Sequence, residues 1–229
     1  MREQGDGSGD LLAFERELWG SGLAGGVAGV DEAGRGCLAG PVVAGAVMMP
    51  PDLAERLYHG ALARLTDSKQ LTALQREAFF GILTRTPGVC AVTGSASAAE
   101  IDRLNILAAT HLAMRRAVEA LPELPGHVLV DGLPVKGLPV PSTAIVKGDA
   151  RSFLIAAASV MAKVTRDHLM VELDGRYPGY HFAENKGYGC KSHLAGLYRL
   201  GACPEHRHTF RPVQDVEQRL PGFDFGLTE

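Results

Sequence analysis

Apolar residues follow two periods along this chain. Short unbroken runs at residues 27–30, 42–48 and 127–130 have the length and the flanking turns of buried strands. Residues 89–96 alternate and residues 143–146 form a brief apolar stretch, which brings the candidate strands to five. The first two, joined by a glycine-rich turn, look like an antiparallel pair, and Pro50-Pro51 stops the second. The helical period shows in residues 11–19, with Leu11, Leu12, Phe14 and Leu18 on one side and Asp10 as cap. It returns in residues 53–64, and in 74–83, where Asp67 or Ser68 is expected to open the helix. Residues 98–104 start helical, and 105–121 form a longer amphipathic helix with Ile106, Leu107, Leu112 and Val118 inward. A long helix from about 150 to 173 carries Ala156-Ala157-Ala158, small enough to lie close on a sheet. Pro178, Gly179, Gly187 and Gly189 make residues 177–189 a loop, and residues 213–220 suit a last short helix.

The punctuation carries the chemistry. The first strand runs into Asp31-Glu32-Ala33-Gly34-Arg35-Gly36: two adjacent carboxylates, then an arginine between glycines. Gly34 and Gly36 permit positive φ and leave room for something to lie against the backbone. A continuing strand would send Asp31 and Glu32 to opposite faces, so both serve one site only if the strand ends there. The alternative is a plain polar turn between two strands. Residues 127–132 end in Asp131-Gly132, a carboxylate at a strand end, where ligands bind in α/β folds. An Asp-Gly turn explains the same letters. Asp149, after Lys147-Gly148, reads equally as a ligand or as the N-cap of the long helix. Within that helix Ser159, Lys163 and Asp167 form a polar stripe at i+4 spacing, with Arg166 beside it. Asp31, Glu32, Asp131 and Asp149 are the oxygen ligands that Mg²⁺ or Mn²⁺ prefers, and would repel one another without a cation.

Composition narrows the partners. A hydrophobic share of 46% and a charged share of 21% are ordinary for a globular chain of 229 residues. The net charge of −3 excludes a molecule that is basic all over, so a nucleic acid would be held by a local patch. Residues 186–211 offer one: Lys186, Lys191, Arg199, Arg207 and Arg211, with His193, His206 and His208 and with Glu205 as the only acid. Tyr188, between two glycines, reads either as a packed loop residue or as a ring beside that surface. No apolar run approaches the ~20 residues of a membrane span, and residues 1–10 show no signal-peptide pattern. Cys37, Cys90, Cys190 and Cys203 are scattered, as free thiols in a reducing cytosol would be. Cys190, Cys203, His206 and His208 lack zinc-finger spacing, and no P-loop, dinucleotide fingerprint or nucleophile elbow is present.

Taken together, Asp31-Glu32-Ala33-Gly34-Arg35-Gly36, Asp67-Ser68-Lys69, Val130-Asp131-Gly132, Lys147-Gly148-Asp149, the segment from Ala156 to Asp167, Gly187-Tyr188-Gly189 and Cys203-Pro204-Glu205-His206-Arg207 resemble the motifs of ribonuclease HII, the bacterial type 2 ribonuclease H. The resemblance extends over about residues 11–213 and departs from the family at Cys37, usually proline, and Cys190, often threonine.

That resemblance implies an α/β ribonuclease H fold: a mixed five-stranded sheet flanked by helices, with a C-terminal helical extension. It implies a catalytic domain over residues 11–213 between a disordered tail, 1–10, and a C-terminal tail, 214–229. Asp31, Glu32, Asp131 and Asp149 would hold two divalent ions, Mg²⁺ or Mn²⁺, about 4 Å apart. Gly34, Arg35 and Gly36 would read a ribose 2′-hydroxyl, Tyr188 would pack on the neighbouring deoxyribose, and Lys69, Lys163 and Arg166 would hold phosphates. The expected substrates are RNA–DNA hybrids and duplex DNA with embedded ribonucleotides, cut by a cytoplasmic monomer in primer removal and ribonucleotide excision repair. The alternatives are a silent hybrid-binding module on the same fold and a junction resolvase or integrase using the same carboxylate chemistry.

Overall fold

The computed structural model describes residues 10–218. The expected tails at 1–10 and 214–229 lie outside the described residues except for Asp10 and residues 214–218. Five strands form one mixed sheet in the order β3-β2-β1-β4-β5. They are β1 (Val27–Ala33), β2 (Val42–Met48), β3 (Cys90–Ala96), β4 (His127–Asp131) and β5 (Ser142–Ile145). β1 and β2, and β2 and β3, pair antiparallel, while β4 runs parallel to both β1 and β5.

Helices cover both faces. On one lie α1 (Ala13–Gly20), α2 (Pro51–Tyr58), α3 (Ala73–Arg85) and the long α6 (Phe153–Arg176). On the other lie α4 (Ala98–Leu104) and α5 (Ile106–Glu119). The expected alanine face of α6 is buried, and β1 and β2 leave it no room for side chains. A Cβ on Gly29 would meet the Leu154 carbonyl carbon at 2.2 Å, and one on Gly45 the Ala158 oxygen at 2.3 Å. Glycine is therefore the residue that lets this helix touch the sheet.

Several expectations change. Leu107 is 52% exposed, because the inward stripe of α5 is built from small residues, Ala109, Ala113 and Ala117, with Met114 and Val118. Thr72, not Asp67 or Ser68, caps α3, and Gln75 completes a capping box. The helix expected over 53–64 ends at Tyr58. Past β5 the chain makes α7 (Phe182–Asn185), α8 (Lys191–Leu200) and α9 (Arg211–Glu217), packed as small clusters around Tyr180 and Phe182 and around Leu197 and Val213. The folded part continues past residue 213, since α9 buries Val216. No helix among the described residues is long and apolar enough to cross a membrane.

Candidate active site

Strand register brings the first two carboxylates together. β1 and β4 pair in parallel, Gly29 beside Leu129 and Val30 beside Val130, and the next step sets Asp31 beside Asp131. Both side chains fall on the α6 side of the sheet, as Leu129 does. The third arrives from a single 3₁₀ turn, Gly148–Ala150, between β5 and α6. One oxygen from each of Asp31, Asp131 and Asp149 lies within 4.8 Å of the others, a group able to hold a metal ion. The Gly148 amide donates to Asp131 Oδ1 at 2.6 Å, which ties that turn to β4.

The condition for both acids to share one face is not met, because β1 continues to Ala33 and contains both. Glu32 therefore stands beside the aspartates rather than among them, facing Arg35 at 3.2 Å and the start of α5. The cap reading of Asp149 fails for a geometric reason. Ser152 caps α6, its hydroxyl accepting from the Ile155 amide at 3.2 Å. Buried Glu15 of α1 braces the same turn, accepting from the Ser152 hydroxyl at 2.6 Å and the Leu154 amide at 2.9 Å. That contact spans more than 130 positions, and nothing in the local sequence announces it.

The acids strain against one another. Burial, then Glu32 and Asp131, push Asp31 well above the usual carboxylate range. Burial, with Asp131 and Asp67, pushes Asp149 up to about 6. Glu32 is raised by burial, with Arg35 partly offsetting it. Burial pulls the Lys69 pKa down, but Asp67, Asp149, Asp31 and Asp131 outweigh it and leave it raised. Its ammonium lies 3.7 Å from Asp149, yet its side chain is 79% exposed. Three mutually repelling carboxylates with hard oxygen donors fit one or more divalent cations, which would relieve the repulsion. The Ser159 hydroxyl offsets part of the upward push on Asp31 and meets that of Ser68 at 2.7 Å; neither serine was singled out for the site.

A groove of about 230 Å³ runs from Glu32 past Gly34, Gly36 and Lys69 to Lys163 and Tyr188. Gly34 has φ +94°, and a Cβ there would lie 1.9 Å from Arg166 Nε. Gly36 does not use the positive φ that glycine permits, but the expected room is there: a Cβ would meet nothing within 4 Å. The carbonyls of Gly34 and Arg35 accept from the buried Arg207 guanidinium at 2.7 and 2.8 Å. The Arg35 and Gly36 amides have no intramolecular acceptor among the described residues. Lys163 pairs with Asp167 at 2.8 Å. Tyr188 is 48% exposed.

Two expectations are corrected. Arg166 is not a free phosphate ligand: it is buried and donates to the carbonyls of Pro41, Lys186 and Ala39 at 3.0, 2.8 and 3.1 Å. The basic patch over 186–211 is not one surface, because His193, His206 and Arg207 are fully buried. Burial lowers Arg207 to about 10, and Phe210 stacks 5.1 Å from its guanidinium.

A family model described as Ribonuclease HII matches residues 28–213. Ribonuclease HII of Geobacillus kaustophilus is 50% identical over 210 residues, 90% of this chain and 76% of that protein. Ribonuclease HII of Anaeromyxobacter sp. is 49% identical over 215 residues, 94% of this chain and 65% of that longer protein. The crystal structure of ribonuclease H2 from Pyrococcus horikoshii superposes with a TM-score of 0.69 at 28% identity, over 83% of this chain and 96% of that one.

Proposed function

The chain belongs to the ribonuclease HII family, and from that premise we propose that it is an endonuclease that hydrolyses RNA in RNA–DNA hybrids and cuts 5′ to single ribonucleotides in duplex DNA. The observation that carries this reading is the meeting of Asp31, Asp131 and Asp149 within 4.8 Å, beside a glycine-lined groove whose Lys69 lies 3.7 Å from Asp149. Those three, with Glu32 beside them, would hold the divalent cations. Such cations supply an activated water and neutralise charge on the leaving 3′-oxygen, giving 3′-hydroxyl and 5′-phosphate ends.

The chain's own groups do the reading. With the carbonyls of Gly34 and Arg35 taken by Arg207, the free amides of Arg35 and Gly36 are the groups offered to a 2′-hydroxyl. The open side of Gly36 lets a ribose approach the backbone. Lys69 has the reach and the charge to meet a phosphate beside the acids, and Lys163 lines the same groove. The half-exposed Tyr188 ring lies flat against the next sugar in this reading, where an extra 2′-hydroxyl would clash. A single chain provides all of these groups, so the working form is a monomer; primer removal and ribonucleotide excision are the tasks that such cuts serve.

Adding Mg²⁺ or Mn²⁺ to protein and a labelled RNA–DNA hybrid tests the reading. Cleavage should begin with the metal, and Asp131→Asn should lose it by orders of magnitude while still binding the hybrid. A hybrid bound but never cut would leave a silent binding module. Equal cutting of duplexes without ribose would favour a resolvase.

A further inference from the structure

A pair of buried histidines, unused by the chemistry above, joins the two elements that would read the substrate. His193 of α8 and His206 are both fully buried, and their Nε2 atoms lie 3.1 Å apart. Tyr180 and Phe182 pack around them, with the His206 ring centroid 4.8 Å from that of Tyr180. Their protons can be placed from their neighbours. The Cys203 amide donates to His206 Nδ1 at 3.0 Å, so that nitrogen carries no proton. A neutral His206 therefore carries its proton on Nε2 and donates it to His193 Nε2. His193 must then carry its own proton on Nδ1, which donates to the Tyr188 carbonyl at 2.9 Å. A carbonyl only accepts, so the chain closes with one consistent arrangement. A second proton on either ring would set two N–H groups against each other. Burial holds both rings below their usual pKa, His206 at about 4.

The two ends of this relay matter. Its far end is the Tyr188 carbonyl. At its near end the His206 backbone forms an antiparallel bridge with Ala39, the Gly40 amide donates to Glu205, and the Arg207 amide donates to Leu38. Residues 38–40 directly continue the Gly34–Gly36 turn. The Leu38 amide also donates to the Gly187 carbonyl at 2.8 Å, and Arg166 bridges Ala39 and Pro41 to Lys186, so the two segments are already held close at residue 187. We infer that His193 and His206 are positioning residues that, on top of these ties, hold the Tyr188 carbonyl and so aim its ring relative to the glycine turn, tuning preference for an RNA–DNA junction. The inference rests on the reading of Tyr188 given above.

Two measurements test it. Long-range ¹H–¹⁵N spectra of histidine-labelled protein at neutral pH should show His193 as the Nδ1–H tautomer and His206 as the Nε2–H tautomer. An imidazolium, or the opposite tautomers, would overturn the relay whatever Tyr188 does. The second is the ratio of cutting at a single ribonucleotide to cutting inside a long hybrid. His193→Leu removes the donor and should lower that ratio roughly five-fold, the effect of about one hydrogen bond. His193→Asn, whose amide falls near Nδ1, keeps a donor for the Tyr188 carbonyl and should restore much of the ratio. Should His193→Leu fail to fold, His206→Gln and His206→Asn replace it. The first keeps the donor to His193, the second only the acceptor for Cys203, so the ratio should survive in the first alone. Parallel losses on both substrates with an unchanged ratio would overturn the inference. If Tyr188→Ala also leaves the ratio unchanged, the reading of Tyr188 has failed; if it shifts the ratio and His193→Leu does not, only the relay has.

Discussion

Gly36→Ala separates a reading surface from a merely well-folded turn. The added methyl meets no atom within 4 Å and the backbone is not left-handed there. Alanine should thus cost the fold nothing, and its narrower unfolded ensemble contributes about 0.4–1 kcal/mol. In a chain of this size that is roughly 1–4 °C upward in Tm. A ribose lying against the same backbone would meet the methyl. Overpacking of that kind costs about 1–3 kcal/mol, or roughly five- to a hundred-fold in kcat/KM. Gly34→Ala is the control: φ is +94° and its Cβ would fall 1.9 Å from Arg166 Nε, so the protein itself should lose stability. The assay is kcat/KM on a labelled duplex with one ribonucleotide, beside a melt of each variant. Full activity in Gly36→Ala would show that no sugar approaches that backbone. A Tm loss matching that of Gly34→Ala would show that the turn needs glycine for its own conformation.

Asp149→Asn should cost orders of magnitude in activity and leave the melt of the metal-free protein unchanged or slightly higher, because it removes a carboxylate that burial and Asp131 already disfavour; a lower Tm with full specific activity would restore the structural reading. The carboxylates' contribution to metal-free stability should fall as pH rises, while buried His193 and His206, held below their usual pKa, act in the opposite sense and cancel when metal-loaded and metal-free protein are compared. Asp31, Glu32 and Asp149 have raised pKa values, so between about 4, the unfolded value, and about 6, that of folded Asp149, the folded state binds more protons than the unfolded one. The gain in Tm on adding Mn²⁺ should therefore be larger at pH 8 than at pH 5; a gain independent of pH would mean that the ion sits elsewhere.

Part of this site could be read from the letters because its carboxylates punctuate apolar runs. Asp131 closes an apolar run, and β1 and β2 were plain from their own apolar runs. Asp149 was ambiguous because a cap and a ligand leave the same local trace; only the turn geometry, with Ser152 taking the cap, separates them. Arg166 and Arg207 were misjudged because their partners are backbone carbonyls, all but that of Lys186 more than 100 positions away, which no residue type reveals. His193 and His206 looked like surface charge because the letters do not show that Tyr180 and Phe182 pack around them and bury both rings. Leu107 was placed inward by the amphipathic reading of the helix, whereas a helix lying close on a sheet selects its small residues.

Product mapping on duplex DNA containing one ribonucleotide tests the central claim most directly. With Mg²⁺ or Mn²⁺ the wild type should incise once, on the 5′ side of the ribonucleotide, leaving a DNA 3′-hydroxyl and a 5′-phosphate on the ribonucleotide, and Asp131→Asn should not. An intact duplex with either metal, or incision that is indifferent to the ribose, would contradict the account.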